Sequence, residues 1–304
     1  MVAAQVSKEH TMTPPDRLRA LLAEPDFVPM PAVWDGLTAK ITASAGFRTA
    51  FLSGSCVAAS RLGGPDLDLL SFAEMFDSFS LARAAAPELL LLADCDHGYG
   101  NVMNVQRTVR AYGRAGAAAV LIEDKLTPRA LTSAGKPTIS RDEARMKIRA
   151  AVEAAKESGV LVLARTDCRP SLGIDEAVAR IRMYVEEGAD ILFLDSPADR
   201  EEMSRATAAA AGKPSFIVLS PGSKRMPTRE EAAHLGFKIG TYPAATLSSV
   251  IGAIGQGLES IRIEDSAAAP ASVAPRELRT ILGYDEYDAA ASRFTDPGES
   301  DNRS

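Results

Sequence analysis

Residues 115–124 read AGAAAVLIED, and the fold of that short stretch decides the architecture of the chain. A glycine, the residue best suited to a left-handed helix end, closes one element. An unbroken apolar run follows and ends on two carboxylates. Apolar and polar residues do not alternate in it, so both faces of the run must be covered, as in a parallel strand between two layers. The same unit recurs as AGFRTAFLSGS (45–55), SGVLVLARTD (158–167), EGADILFLDSP (187–197) and LGFKIGTYP (235–243). FVPMPAVWD (27–35), LLLLADCD (89–96) and KPSFIVLSP (213–221) supply three further strands. Alanine-rich stretches with helical periodicity lie between them, such as 140–158 and 173–190, and Ser140 with Glu143 resembles a capping box. Eight βα units predict an α/β fold of the closed (β/α)8 TIM-barrel type rather than an open doubly wound sheet. No GxGxxG motif follows the first strand, which argues against a dinucleotide-binding fold.

The chain of 304 residues suits one such barrel, and 46% hydrophobic residues suffice for a large core. A net charge of −6 and a pI of about 5.3 predict no nucleic-acid partner. No run approaches the roughly 20 apolar residues that span a bilayer, and the first residues, MVAAQVSKEHTMTPPD, lack the apolar core of a secretory signal. Three cysteines do not suggest a disulfide framework. These features predict a soluble cytoplasmic protein with no membrane partner. The expected organisation is one barrel domain over 14–293 with a C-terminal helical extension, and loose tails at 1–13 and 294–304. Helices expected at 245–261 and 275–294 exceed what the barrel needs, and an apolar helix without room on its own barrel is commonly an oligomer element.

In barrel enzymes the chemistry sits where strands end. The residues at the expected strand ends are Trp34 and Asp35; Ser53, Gly54 and Ser55; Asp94 and Asp96; Glu123 and Asp124; Arg165 and Asp167; Asp195; Ser220; and Tyr242. Asp94, Asp96 and Glu123 offer hard oxygen donors, which suit Mg2+ or Mn2+. A histidine-rich zinc site is excluded by count, because only His10, His97 and His234 exist and only His97 lies at a strand end. Arg165 serves either as an ion-pair partner or as the holder of a substrate carboxylate. Ser53-Gly54-Ser55 exposes backbone N–H groups to an anion or developing oxyanion. Together these features fit a dianionic acid on a divalent cation, with an enolate stabilised as the neighbouring bond breaks. Plainer roles compete. A single strand-end Asp is more often a helix cap, Trp34 a packing residue, and Asp124 and Asp167 ion-pair partners. Cys56, Cys95 and Cys168 read as small buried residues, and His234 as a surface or core residue.

Four motifs carry a resemblance: residues 53–75 (SGSCVAASRLGGPDLDLLSFAEM), 93–101 (ADCDHGYGN), 122–125 (IEDK) and 163–167 (LARTD). In this order and spacing they resemble the isocitrate lyase/phosphoenolpyruvate mutase superfamily, over roughly residues 16–290. The C-terminal part resembles the methylisocitrate lyase branch, DHGYGN the oxaloacetate decarboxylase branch, and EDKL the branch that handles phosphonopyruvate. The resemblance implies a Mg2+-dependent barrel acting on a 2-oxo or 2-hydroxy acid. Asp94 would hold the metal, helped by Asp96 and Glu123 partly through water. Ser53, Gly54 and Ser55 would hold the substrate carboxylate and oxo oxygen; Trp34 and Tyr242 are expected as further substrate contacts from their strand-end positions alone. Asp66 would stand near the substrate, and Arg165 would bind it. It also implies a homotetramer, a dimer of dimers, that exchanges the extra C-terminal helix.

The chain departs from the family in the loop over residues 125–140, KLTPRALTSAGKPTIS. The lyases carry a Lys-Lys-Cys-Gly-His segment there, and the mutases and phosphonopyruvate hydrolases an asparagine. This loop has no cysteine, histidine or asparagine, and Leu131 falls near the cysteine's place. Decarboxylation needs no strong acid, so the departure favours a decarboxylase, or a lyase with another acid, on an oxaloacetate-like substrate. The alternatives are a C–P mutase or hydrolase and a non-catalytic relative that binds acids. The loop reads as a lid whose Lys125 and Arg129 reach a bound dianion as it closes.

Overall fold

The computed structural model describes residues 12–128, 136–263 and 273–294. The chain forms two compact units, residues 1–248 and 249–304. In the first, nine parallel strands follow one another around a sheet, with helices between them. They are β1 (Val28–Met30), β2 (Ala32–Val33), β3 (Thr49–Leu52), β4 (Leu90–Asp94), β5 (Ala119–Glu123), β6 (Leu161–Thr166), β7 (Ile191–Leu194), β8 (Ser215–Val218) and β9 (Ile239–Thr241).

The first expected strand accounts for the extra count. Proline has no N–H to give a ladder, and Pro31 cuts residues 27–35 into β1 and β2. β1 pairs with β9, Met30 opposite Thr241, while β2 pairs with β3, Val33 opposite Leu52. The kinked segment therefore joins the first and last neighbours and closes the barrel, and the eight expected strands are all present.

Inside the barrel, Met30, Phe51, Leu92, Leu121, Leu163, Ile191, Phe193, Phe216 and Ile239 form one buried cluster. A helix not expected from the sequence, α1 (Pro14–Ala23), adds Leu18 and Leu21 to it. Thr13 caps α1, and Pro14 sits in the first turn, where a missing N–H costs nothing. The opposite strand faces pack against α2 (Gly36–Ser44), α3 (Gly54–Leu62), α4 (Phe72–Ala85), α5 (Val102–Arg114), α6 (Arg141–Ala155), α7 (Arg169–Glu186, broken at Gly173) and α8 (Arg200–Ala209). Ser140 caps α6 through the Glu143 N–H, as expected. Asp35 caps α2 in a reciprocal pair with Thr38. A short α9 (Arg229–His234) precedes β9, and α10 (Pro243–Ile263) follows it. All three cysteines are buried and free, and His234 is exposed on α9.

The second unit holds the distal part of α10, α11 (Pro275–Leu282) and α12 (Tyr284–Ala291). Gly283 joins α11 to α12 with φ +82°, and Arg279 lies 4.4 Å over the Tyr284 ring. Ile251, Ile254, Leu258 and Ile261 are exposed. Residues 1–11 and 295–304, the bulk of the two expected tails, lie outside the described residues. Among the described residues no helix is long and apolar enough to cross a membrane.

One polar knot ties the barrel to its helices. The Asp124 carboxylate, just past β5, points outward and accepts from Thr166 Oγ1 (2.7 Å), the Asp167 N–H (2.9 Å), Arg180 Nη1 (2.8 Å) and the Tyr184 hydroxyl (2.9 Å). Arg180 is 2% exposed and also donates to the Ile139 carbonyl. Removing one partner of such a buried pair leaves the other charge stranded. Asp124→Ala is expected to lower unfolding stability by about 3–5 kcal/mol, read from urea titration. An unchanged midpoint would show that the knot does not hold the barrel.

Candidate active site

Strand alternation decides which strand-end side chains meet. Along β4 the inward positions run Leu90, Leu92, Asp94; along β5, Ala119, Leu121, Glu123; along β6, Leu161, Leu163, Arg165, and then Asp167 beyond its end; along β7, Ile191, Phe193, and then Asp195. Above the apolar layer, every one of these strands turns charged. The result is a cleft lined by Asp66, Asp94, Asp96, Glu123, Lys125, Lys136, Arg165 and Asp167.

On one side stands the start of α3. Ser53 is its N-cap residue, yet its hydroxyl makes no capping bond and meets Ser55 Oγ at 3.0 Å instead. The Gly54 N–H donates to Asp94 Oδ2 at 3.1 Å, and a Cβ on Gly54 would lie 3.0 Å from that oxygen. A glycine is what lets the helix start come this close to the carboxylate. Asp94 is 9% exposed. Burial, then the nearby Asp96 and Glu123 charges, push its carboxyl up to about 8.

The loop after β4 holds Asp96 and His97 through a tight backbone path. Asp96 (φ +49°), Gly98 (+81°), Tyr99 (+60°) and Gly100 (+147°) share the left-handed side of the map. A Cβ on Gly98 would fall 2.4 Å from Val105 Cγ2. Asn101 then caps α5 with Asn104 in a reciprocal pair. Lys147, 4% exposed on α6, donates to the His97 carbonyl at 3.2 Å and braces the loop from behind. Burial and then Lys147 hold His97 down at about 4, so its ring is neutral near pH 7.

Three cations answer the carboxylates. Lys125 Nζ lies 2.6 Å from Glu123 Oε1, 2.7 Å from Asp96 Oδ1 and 2.8 Å from Asp68 Oδ1. Burial opposes its charge, but Glu123 and Asp96 outweigh it and hold the lysine protonated. Arg165 forks onto Asp167 (2.7 and 2.8 Å) and reaches Glu123 (3.1 Å) and Asp195 (3.3 Å), its guanidinium 5.0 Å from the Phe193 ring. Lys136 pairs with Asp167 and Asp195.

The structure thus gathers Asp66, Asp94, Asp96, Glu123, Lys125 and Arg165 around one mouth; Gly54 adjoins it through its N–H on Asp94, and Ser53 and Ser55, bonded to each other, do not line it. Two other expected substrate contacts do not line the cleft either. Trp34 is buried in the cluster between strands and helices, and Tyr242, one step past the inward Thr241, packs with Phe27, Phe237 and Met226. Asp35 and Asp124 have structural partners instead. Lys125, expected as a lid cation, is committed to three carboxylates, and Arg129 and Leu131 lie outside the described residues. Sequence reading passed over Asp68, Lys136 and Lys147. A signal existed for Lys147, which falls on the buried stripe Ala144, Ile148, Ala151 of α6, where a lysine is out of place.

The donor set fits a hard divalent cation in its chemistry, being all carboxylate oxygen. Buried Asp68 Oδ2 and Glu123 Oε1 have no aligned hydrogen bond among the described residues. In the geometry as it stands, no three acidic, histidine or cysteine side chains among the described residues converge on a metal-binding point. Lys125 is in contact with Asp96 and Glu123 instead.

The family profile of phosphoenolpyruvate phosphomutase matches residues 18–262. The 2,3-dimethylmalate lyase of Eubacterium barkeri is 36% identical over 232 residues, 76% of this chain and 80% of that one. An oxaloacetate decarboxylase of Rhodopseudomonas palustris is 34% identical over 252 residues, 83% of this chain and 85% of its own. The crystal structure of a phosphonopyruvate hydrolase complexed with oxalate and Mg2+ superposes with a TM-score of 0.81 at 29% identity, covering 93% of this chain and 99% of that one. With the barrel, the carboxylate mouth and these likenesses together, the chain belongs to the isocitrate lyase/phosphoenolpyruvate mutase superfamily.

Proposed function

We propose that the chain is a Mg2+- or Mn2+-dependent carbon–carbon lyase of a small 2-oxo or 2-hydroxy dicarboxylic acid, working in the cytoplasm, with oxaloacetate decarboxylation as its first reaction to test. The observation that carries this reading is Asp94, a buried carboxylate crowded by Asp96 and Glu123 and met by the free start of a helix. A carboxylate so placed gains by facing a cation. Asp94 would hold the metal, with Asp96 and Glu123 assisting. When bound, such a cation supplies a Lewis acid beside the substrate's oxygen.

The chain's own groups do the rest. The Ser53–Ser55 segment offers hydroxyls to the carboxylate and oxo oxygen at the reacting end, while its Ser53 and Gly54 N–H groups are engaged by Val33 and Asp94. Arg165, held in place by Asp167, Glu123 and Asp195, binds a carboxylate of the substrate. Asp66, whose carboxyl is raised by burial, is placed to hold a proton at the mouth. Arg129, which lies outside the described residues, is proposed as a further cation for the bound dianion. The 2,3-dimethylmalate lyase and the oxaloacetate decarboxylase named above act, by their names, on dicarboxylic acids of this size. A second reading keeps EDK in view, since the phosphonopyruvate hydrolase shares the fold: a C–P bond would break in the same cleft. Oxaloacetate, 2-alkylmalates, methylisocitrate and phosphonopyruvate, each with Mg2+, separate the two by their products, and phosphate released from phosphonopyruvate alone would favour the second.

Asp94→Asn is expected to remove metal-dependent turnover, a loss of at least about a hundredfold, while leaving the melting temperature near that of the parent. EDTA should do the same to the unaltered protein, and Mg2+ should restore it. Full turnover in EDTA would exclude the metal.

We also infer association through the second unit. Ile251, Ile254, Leu258 and Ile261 recur at the spacing of a coiled-coil seam and are exposed. A homotetramer that buries this seam is expected. Ile254→Asp with Leu258→Asp should then give a smaller species in light scattering, and a monomeric unaltered protein would overturn the inference.

A further inference from the structure

The connection between β5 and α6 re-enters the described structure at Lys136, and its backbone is pinned at once. The Leu126 N–H donates to the Pro137 carbonyl at 2.9 Å, Lys125 and Thr138 form an antiparallel bridge, and Ser171 Oγ donates to the Lys136 carbonyl at 3.3 Å. From this stem the Lys136 side chain turns into the cleft. Its Nζ meets Asp167 Oδ1 at 3.0 Å and Asp195 Oδ2 at 2.5 Å. Arg165 Nη2 approaches the same two carboxylates, at 2.7 and 3.3 Å, so the four groups form a ring of alternating charge. The Lys136 side chain is 32% exposed against 17% for Arg165, which makes the lysine the outer cation of the pair. Both sit on the β6–β7 arc of the mouth, while Gly54 and Asp94 belong to the β3–β4 arc.

We propose that Lys136 holds the substrate carboxylate remote from the reacting oxo or hydroxyl group, and so selects dicarboxylic over monocarboxylic acids. This rests on the reading of the cleft as a diacid site. An ammonium carries three N–H donors, and Asp167 and Asp195 take two of them and thereby aim the group. Neither carboxylate needs Lys136 for a hydrogen bond, because Arg165 forks onto Asp167 and the Ser196 hydroxyl donates to Asp195. Although burial opposes its charge, Asp167 and Asp195 keep the lysine protonated. An acid bound by its reacting end near Asp94 and Gly54 therefore presents a remote carboxylate to a fixed cation across the mouth. A monocarboxylic acid leaves that cation with nothing to bind.

The test uses malate and lactate, which differ in the remote carboxylate, and oxalate, which has none beyond its reacting pair. Each is titrated calorimetrically into the full chain with Mg2+, as the parent protein, Lys136→Met and Lys136→Arg. The parent should prefer malate to lactate. Lys136→Met should weaken malate about ten- to a hundredfold, the range for a hydrogen bond to a charged group, and leave oxalate and lactate unchanged. Lys136→Arg should recover most of the malate affinity. Malate bound as tightly by Lys136→Met as by the parent overturns the proposal, and so does a parallel loss of oxalate, which would make the lysine structural. A parent that binds oxalate without preferring malate overturns this role and leaves the metal reading standing. A parent that binds none of the three removes the diacid reading and this inference with it.

Discussion

Charge taken out of water at one end of a closed barrel is the constraint on which the other features depend. The period of a parallel strand is two, so each strand gives the barrel one inward side chain per layer. On β4, β5, β6 and β7 the layer above the leucines carries Asp94, Glu123, Arg165 and Asp195. Burying such groups is unfavourable unless they meet partners. Arg165 meets Glu123, Asp167 and Asp195, while Lys125 and Lys136 reach in from the following loop. Asp94 accepts from the neutral N–H groups of Gly54 and Asp96, stands beside the like charges of Asp96 and Glu123, and is pushed up to about 8. The imbalance is local, and it marks where a further positive charge would lower the energy of the site.

The same alternation explains how much could be read from the chain without coordinates. Apolar runs, five of them after a glycine, marked the eight expected strands, because a strand covered on both faces has no polar residue to confuse the pattern. The carboxylates were equally visible, since their parity matches that of the leucines before them. Cys95, expected as a small buried residue, is one step from Asp94 and so turns into the cluster between strands and helices. The same count separates Glu123 from Asp124, and Thr241 from Tyr242, which a reading of strand ends as a group does not. Pro31 could be seen in the sequence, but which strands its two halves pair with is a property of closure, and closure is not local. Lys136 had no periodic context at all: it is brought to the cleft by a stem whose bonds join residues on both sides of the loop.

Glu123 and Asp124 show what one residue of register does. Glu123 turns into the mouth beside Lys125 and Arg165. Asp124 turns out and gathers Thr166, Asp167 N–H, Arg180 and Tyr184. The second carboxylate fixes the backbone that aims the first, and through the Asp167 N–H it also fixes the start of the segment beyond β6. Position and chemistry are thus divided between neighbouring residues of one strand end. Lys147 acts on the same principle from α6, where its bond to the His97 carbonyl braces the loop that bears Asp96.

The loop over 125–140 bears on which reaction suits this mouth. Cleaving a 2-hydroxy diacid requires a base for the hydroxyl proton and an acid for the departing fragment, and that loop contains no cysteine or histidine to act as the acid. Loss of carbon dioxide from a 2-oxo diacid requires neither at the moment the bond breaks. It requires the charge that leaves the remote carboxylate to be met as it develops on the oxo oxygen, and water to be kept out until the proton is delivered. The start of α3, and a divalent cation held by the carboxylate trio, would meet that charge, while Arg165 and Lys136 would orient the acid before the bond breaks. Lys125 and Lys136 are paired with carboxylates and held protonated, so they serve as fixed charges and not as bases. Among the reactions of the relatives, decarboxylation therefore asks least of the residues this chain lacks and most of those it has.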